Sequence, residues 1–87
     1  MSATISNAKL SAKVIETGAE LKSLVELSTG NEYVWQSDPA YWTGAAPILF
    51  PIIGGLRNGE YSYRGKTYSM PGHGVVRKAE WKLTDSS

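Results

Sequence analysis

The chain has 87 residues, with nine Lys or Arg against eight Asp or Glu, a net charge of +1 and no cysteine. That length is one small domain or part of a larger one, and a chain with no cysteine has neither disulfides nor thiolate metal sites. The cations are interleaved with Asp and Glu along the sequence, which excludes the one-sided basic face that nucleic acid requires. Between Met1 and Leu10 no basic start leads into an apolar stretch, so no signal peptide is visible. The longest apolar run, Ala45 to Ile53, holds two prolines and falls far short of the roughly 20 residues of a membrane helix. The expectation is a soluble, cytoplasmic protein with neither a nucleic-acid nor a membrane partner. A chain this short buries only about two thirds of its unfolded surface.

In chain order, the signals are short strands punctuated by turns. Leu10, Ala12, Val14 and Glu16 fall on one face of a first strand, and Ser11, Lys13 and Ile15 on the other. Gly18 breaks it. Leu21, Ser23, Val25 and Leu27 alternate with Lys22, Leu24 and Glu26 in a second. Ser28 to Asn31 is a turn, because Gly30 and Asn31 tolerate positive φ. Glu32 to Gln36 then reads as the returning arm of a hairpin, since Tyr33, Val34 and Trp35 are strand-preferring residues. Asp38 before Pro39 predicts a capped single turn of helix. Ala45 to Ile53 reads as a buried strand or extended segment. It cannot be a fully paired central strand, because Pro47 and Pro51 carry no N–H. Glu60 to Met70 is the clearest hairpin, turning at Arg64-Gly65-Lys66. Val75 to Thr84 reads as a last strand anchored by Trp81, with a loop beginning over Thr84 to Ser87. The fold class is all-β, with antiparallel strands whose edges this length can hardly cover. A sheet of this width wants a second sheet to face.

Two places could carry chemistry. In Gly54-Gly55-Leu56-Arg57-Asn58-Gly59, three glycines in six residues let the backbone approach a ligand or turn sharply. Arg57 among them has a planar fork of donors suited to carboxylates, phosphates or vicinal hydroxyls. Composition alone favours the plainer reading of the same run, a surface turn with a solvated arginine. Neither a phosphate loop nor a dinucleotide fingerprint is present. His73, between Gly72 and Gly74, is the only histidine. It projects from a turn and can donate, accept or carry charge near neutral pH; a loop histidine with no task is the competing reading. One His and no Cys argue against a metal site. Among the aromatics, Tyr41 and Trp42 are ligand candidates because their flanks suggest a loop; the rest read as core. Glu32, Glu60 and Glu80 could pair as catalytic carboxylates, although no spacing selects a pair.

The strings GAELKSLVEL, NEYVWQSDPAYW, APILFPIIGGLRNGEYSYRGKTYSMPGHG and VVRKAEW, in that order, resemble the N-terminal portion of the aldose 1-epimerase (galactose mutarotase)-like family. The resemblance implies that residues 1–87 are a single, incomplete β-domain, part of a galactose mutarotase-like β-supersandwich. It implies a protein that interconverts the α and β anomers of a free monosaccharide. In that chemistry a base takes the proton of the anomeric hydroxyl while an acid protonates the ring oxygen, and such transfers contribute typically 10²–10⁴-fold. Arg57 matches the family's arginine of this segment and His73 its first active-site histidine. Both are implied to hold sugar hydroxyls. The family's acid is a second histidine and its base a later glutamate, so no residue here takes either role. No cofactor is implied. Val75 stands where the family commonly has an aromatic, Lys78 where it has an acidic residue, and Gly44-Ala45 where relatives carry arginines. Catalysis by these residues alone is not expected. The alternative is a non-catalytic β-module that binds carbohydrate, self-associates, or pairs its strand edges with a partner chain.

Overall fold

The computed structural model describes residues 2–84. A three-stranded antiparallel sheet comes first, built from β1 (Ser2–Ser6), β2 (Leu10–Ile15) and β3 (Leu21–Glu26) in spatial order β1-β2-β3. A two-stranded antiparallel ribbon follows, β4 (Glu60–Tyr63) and β5 (Lys66–Ser69). The only helical pieces among the described residues are 3₁₀ turns at Arg57–Gly59 and Val76–Lys78. The all-β, antiparallel reading therefore holds.

Pairing explains which face of the first sheet is apolar. Ile5, Ala12 and Leu24 lie side by side across the three strands, as do Ala3, Val14 and Leu21. Between these rows sit Thr4, Lys13 and Ser23, pointing the other way. A register shift at Lys13/Val14 bends β2. The β4–β5 turn is the two-residue loop Arg64-Gly65, with φ of 51° and 78°. Positive φ at both central residues is the geometry that matches the twist of hairpin strands. Tyr61 and Tyr68 are directly opposed across the ribbon and stack at 5.2 Å.

Several expectations are corrected. β1 is a strand that the alternation of apolar residues does not announce. Glu32 to Gln36 is not a strand: pairing with β3 is confined to one bridge, Val25 with Glu32. There the Glu32 carboxylate takes the N–H groups of Leu24 and Val34, both at 2.9 Å, and so competes with a ladder. Ala45 to Ile53 is extended but makes only a single parallel bridge, Phe50 with Gly74. It is not buried, since Ile53 is 82 % exposed and Phe50 61 %. Val75 to Thr84 is not a strand either. The 3₁₀ turn interrupts it, and the remainder is tied across the β2–β3 connection by Gly18 N–H to Ala79 O (2.6 Å), Trp81 N–H to Glu16 O (2.9 Å) and one Thr17–Glu80 bridge. Trp81 is 48 % exposed and anchors no core. The loop expected past Thr84 lies outside the described residues. At Asp38 the chain makes a hydrogen-bonded turn and not the expected turn of helix: the Asp38 carbonyl accepts from Tyr41 and Trp42, and its side chain from Ala40.

No apolar side chain among the described residues is fully buried. The radius of gyration is 16.7 Å, against about 12 Å for a compact domain of this length. The accessible surface is 6789 Å², against about 5,000 Å² for a self-contained protein of this mass. The apolar face of the β1–β2–β3 sheet contributes to that excess.

Candidate functional site

Two loops meet at the end of the β4–β5 ribbon. The Met70 N–H donates to Gly59 O at 2.8 Å, continuing the ribbon by one rung. Further along, the His73 N–H donates to Gly54 O at 2.8 Å, and the Gly54 N–H donates back to His73 Nδ1 at 2.9 Å. The Gly54–Gly59 loop is thus closed at both ends by residues 70–73. Gly54 has φ of 81° and His73 of 63°. The left-handed conformation suits glycine, while in histidine it is uncommon and worth attention. The Gly74 carbon lies against the Phe50 carbonyl so closely that no Cβ fits, which explains a glycine after the histidine. A Cβ at Gly72 would lie 4.0 Å from Gly54 O, an ordinary van der Waals distance.

This geometry decides the state of the imidazole. Nδ1 accepts a backbone N–H, so in the neutral ring the proton sits on Nε2. The half-buried ring is fixed at one nitrogen and offers a donor at the other. Arg57 opens the 3₁₀ turn of the same loop and is exposed. The structure therefore puts Arg57 and His73 on two loops stitched together by main-chain hydrogen bonds.

Tyr41 and Trp42 sit elsewhere on the chain, on the turn that follows Asp38. Tyr41 is 81 % exposed and Trp42 52 %. Trp35, read from the sequence as core, joins them: its indole N–H donates to Trp42 O at 2.7 Å and its ring meets Tyr41 edge-on at 6.1 Å. Sequence reasoning missed what holds this corner. Glu20, with 8 % of its surface accessible, accepts the N–H groups of Ala45 and Ala46 at 2.8 and 3.0 Å. Lys22 reaches Ser37 Oγ and Thr43 O, and lies 3.8 Å from the Glu20 carboxylate. A Glu-x-Lys at the start of a strand looks like solvated surface, and only the loop's return reveals its task.

Of the three candidate carboxylates, Glu32 and Glu80 are engaged in structure. Glu32 accepts from Ser23 Oγ, Leu24 N–H and Val34 N–H, and these bonds, the Ser23 hydroxyl foremost, hold its carboxyl below its ordinary value. Glu80 accepts from the Thr17 hydroxyl at 2.7 Å. Glu60 is exposed at the start of β4. Among the described residues no three His, Asp or Glu side chains gather to ligate a metal ion, and no helix is long and apolar enough to cross a membrane.

The profile of the aldose 1-epimerase family matches residues 1–87. The plasmid-encoded LacX protein of Lactococcus lactis subsp. lactis is 41 % identical over 90 residues, a match that takes in 98 % of this chain and 30 % of LacX. Among solved structures, a galactose mutarotase-like protein from Lactobacillus casei ATCC 334 superposes with a TM-score of 0.94 at 42 % identity, over all of this chain and 30 % of that one. A galactose mutarotase related enzyme from Lactobacillus acidophilus gives 0.92 at 39 %, over all of this chain and 29 % of that one. The chain spans about a third or less of the length of these relatives. On the match over its whole length, the chain belongs to the aldose 1-epimerase family.

Proposed function

We propose that these residues are the sugar-holding front part of an aldose 1-epimerase-like enzyme, acting on a monosaccharide in the cytoplasm. Arg57 and His73 hold ring hydroxyls, and Tyr41 and Trp42 are secondary contacts. The acid and base of anomer exchange come from polypeptide outside these residues. The observation that carries this reading is the reciprocal pair between Gly54 and His73. It presents an Nε2–H donor, and a neutral polyol is gripped by hydrogen-bond donors and acceptors at fixed positions rather than by net charge. Arg57 on the adjoining loop adds a donor fork that suits two neighbouring hydroxyls. The family match supports the substrate class.

The division of labour is tested by optical rotation. Fresh α-glucose or α-galactose with this chain alone should mutarotate at the buffer rate, while tryptophan emission should respond to the sugar and lose that response in Arg57→Ala. Acceleration by the chain alone, abolished in His73→Ala, would show that the acid and base are wrongly placed.

A second reading has its own observation. The surface exceeds that of a compact protein of this mass by about 1,800 Å², and an obligate interface of about 2,000–5,000 Å² in total removes about 1,000–2,500 Å² from each partner. A non-catalytic β-module that assembles through its sheet edges and apolar face fits that figure. Native mass measurement separates the two: a concentration-dependent oligomer with no sugar response favours the assembly module.

A further inference from the structure

Each residue from Trp42 to Ala46 is tied down through its main chain. The Trp42 N–H donates to Asp38 O at 2.9 Å, and the Trp42 carbonyl accepts the Trp35 indole N–H at 2.7 Å. The Thr43 and Gly44 carbonyls accept from Lys22 Nζ and Ser37 Oγ, and the Ala45 and Ala46 N–H groups end on Glu20. The Trp42 side chain folds back over this frame. A Cβ at Gly44 would stand 2.5 Å from Cζ2, 2.6 Å from Cε2 and 3.0 Å from Nε1 of that indole. The ring therefore lies where a residue at position 44 would put its side chain. Gly44 is not at a positive φ. Its backbone has no need of glycine; the ring is what excludes a side chain.

The indole is thus laid against the main chain and is still 52 % exposed. Its Nε1–H has no acceptor among the described residues. Such a ring combines a flat apolar face with a free donor at its edge. That matches a pyranose, which carries C–H groups across one face of the ring and hydroxyls around its rim. The negative face of the aromatic system attracts the polarised C–H groups, and the N–H can meet a hydroxyl. A tryptophan already fixed in place gives this contact area at little entropy cost. An open-chain polyol offers comparable hydroxyls but no rigid face to lay on the ring.

We infer that Trp42 is the stacking face for the sugar, and that Gly44 is the specificity-determining residue that makes room for it. Together they select a closed pyranose ring over an open-chain polyol. The inference rests on the sugar reading of the site and narrows its substrate class. Calorimetry on the intact gene product that bears these residues tests it, with galactose and galactitol, its open-chain alditol, as probes. Galactose should bind about tenfold more tightly than galactitol, which is what one good aromatic contact supplies. Trp42→Ala should weaken galactose about tenfold and galactitol less than about twofold. Trp42→Phe keeps a flat face and should hold galactose within about threefold of the parent. Gly44→Ala leaves the tryptophan in the sequence but takes its place, and should reproduce the loss seen in Trp42→Ala. Galactose binding indifferent to Trp42→Ala and Gly44→Ala, yet lost in Arg57→Ala, overturns the platform and leaves the sugar site standing. Equal weakening of both probes by Trp42→Ala also overturns the platform, because a residue that merely props the loop acts on both alike. So do equal affinities of the parent protein for the two probes. Binding of neither probe to the parent protein overturns the sugar reading itself, and the platform with it.

Discussion

Gly54 and His73 are joined twice, N–H to carbonyl in one direction and N–H to imidazole Nδ1 in the other. Both residues sit at positive φ. One unit thereby fixes the course of two loops and the orientation of the sole imidazole. Its consequences differ from those of an ordinary loop histidine, and they can be measured.

A Cβ at Gly54 meets nothing within 4 Å, whereas at Gly74 it runs into the Phe50 carbonyl. Gly54→Ala should therefore cost only the left-handed backbone strain, about 1–2 kcal/mol. Gly74→Ala should cost more, because backbone must move. Urea midpoints of the two variants rank them, and equal losses would contradict the packing described here.

Glu32 provides a pH dependence of known sign. Its folded carboxyl lies below its ordinary value because Ser23, Leu24 and Val34 donate to the charged form. Its contribution is thus fully present above the unfolded glutamate value, about 4.3, and is lost as pH falls through the lowered folded value. Denaturation midpoints followed from neutral to acid pH should fall less steeply for Glu32→Gln than for the parent chain. Parallel curves would show that those hydrogen bonds do not form.

Glu20→Ala leaves the N–H groups of Ala45 and Ala46 without their acceptor. Orphaned, partly buried donors cost about 1–3 kcal/mol in all where water cannot replace the partner. The loss should come with greater mobility of Trp42, read as lower anisotropy of its emission in a variant that retains only that tryptophan. An unchanged anisotropy would mean that Glu20 does not hold this corner.

The stacked pair Tyr61 and Tyr68 stands directly cross-strand. A double-mutant cycle to alanine should give a coupling of about 0.5–1.5 kcal/mol, whereas additivity would contradict the stacking.

How much of this was legible depended on whether the signal was local. Arg64-Gly65 announces a hairpin by its turn chemistry, and the alternation in Leu10–Ile15 and Leu21–Glu26 announces strands. Asp38 before Pro39 announces a turn. β1 escaped because Ser2–Ser6 carries one large apolar residue, Ile5, and owes its pairing to β2. Val75, Val76 and Trp81 looked like strand, but that segment is set by bonds to residues some 60 positions away, at Glu16 and Gly18, and sequence periodicity carries no such information. Trp81 and Phe50 looked like core because apolar residues usually are; whether a facing layer exists is not written in a local pattern. The candidate site was half legible. The Gly-rich setting of Arg57 and His73 stood out, whereas the bond from Gly54 to the imidazole and the Glu20–Lys22 support required the loops to be folded back.

Amide chemical shifts during a titration with glucose or galactose test the central claim most directly. A sugar gripped by the two stitched loops should move the resonances of Gly54, Arg57 and His73 together, in one saturable process that His73→Ala weakens. Shifts confined to residues away from both loops, or none at all in a folded spectrum, would contradict a sugar site there.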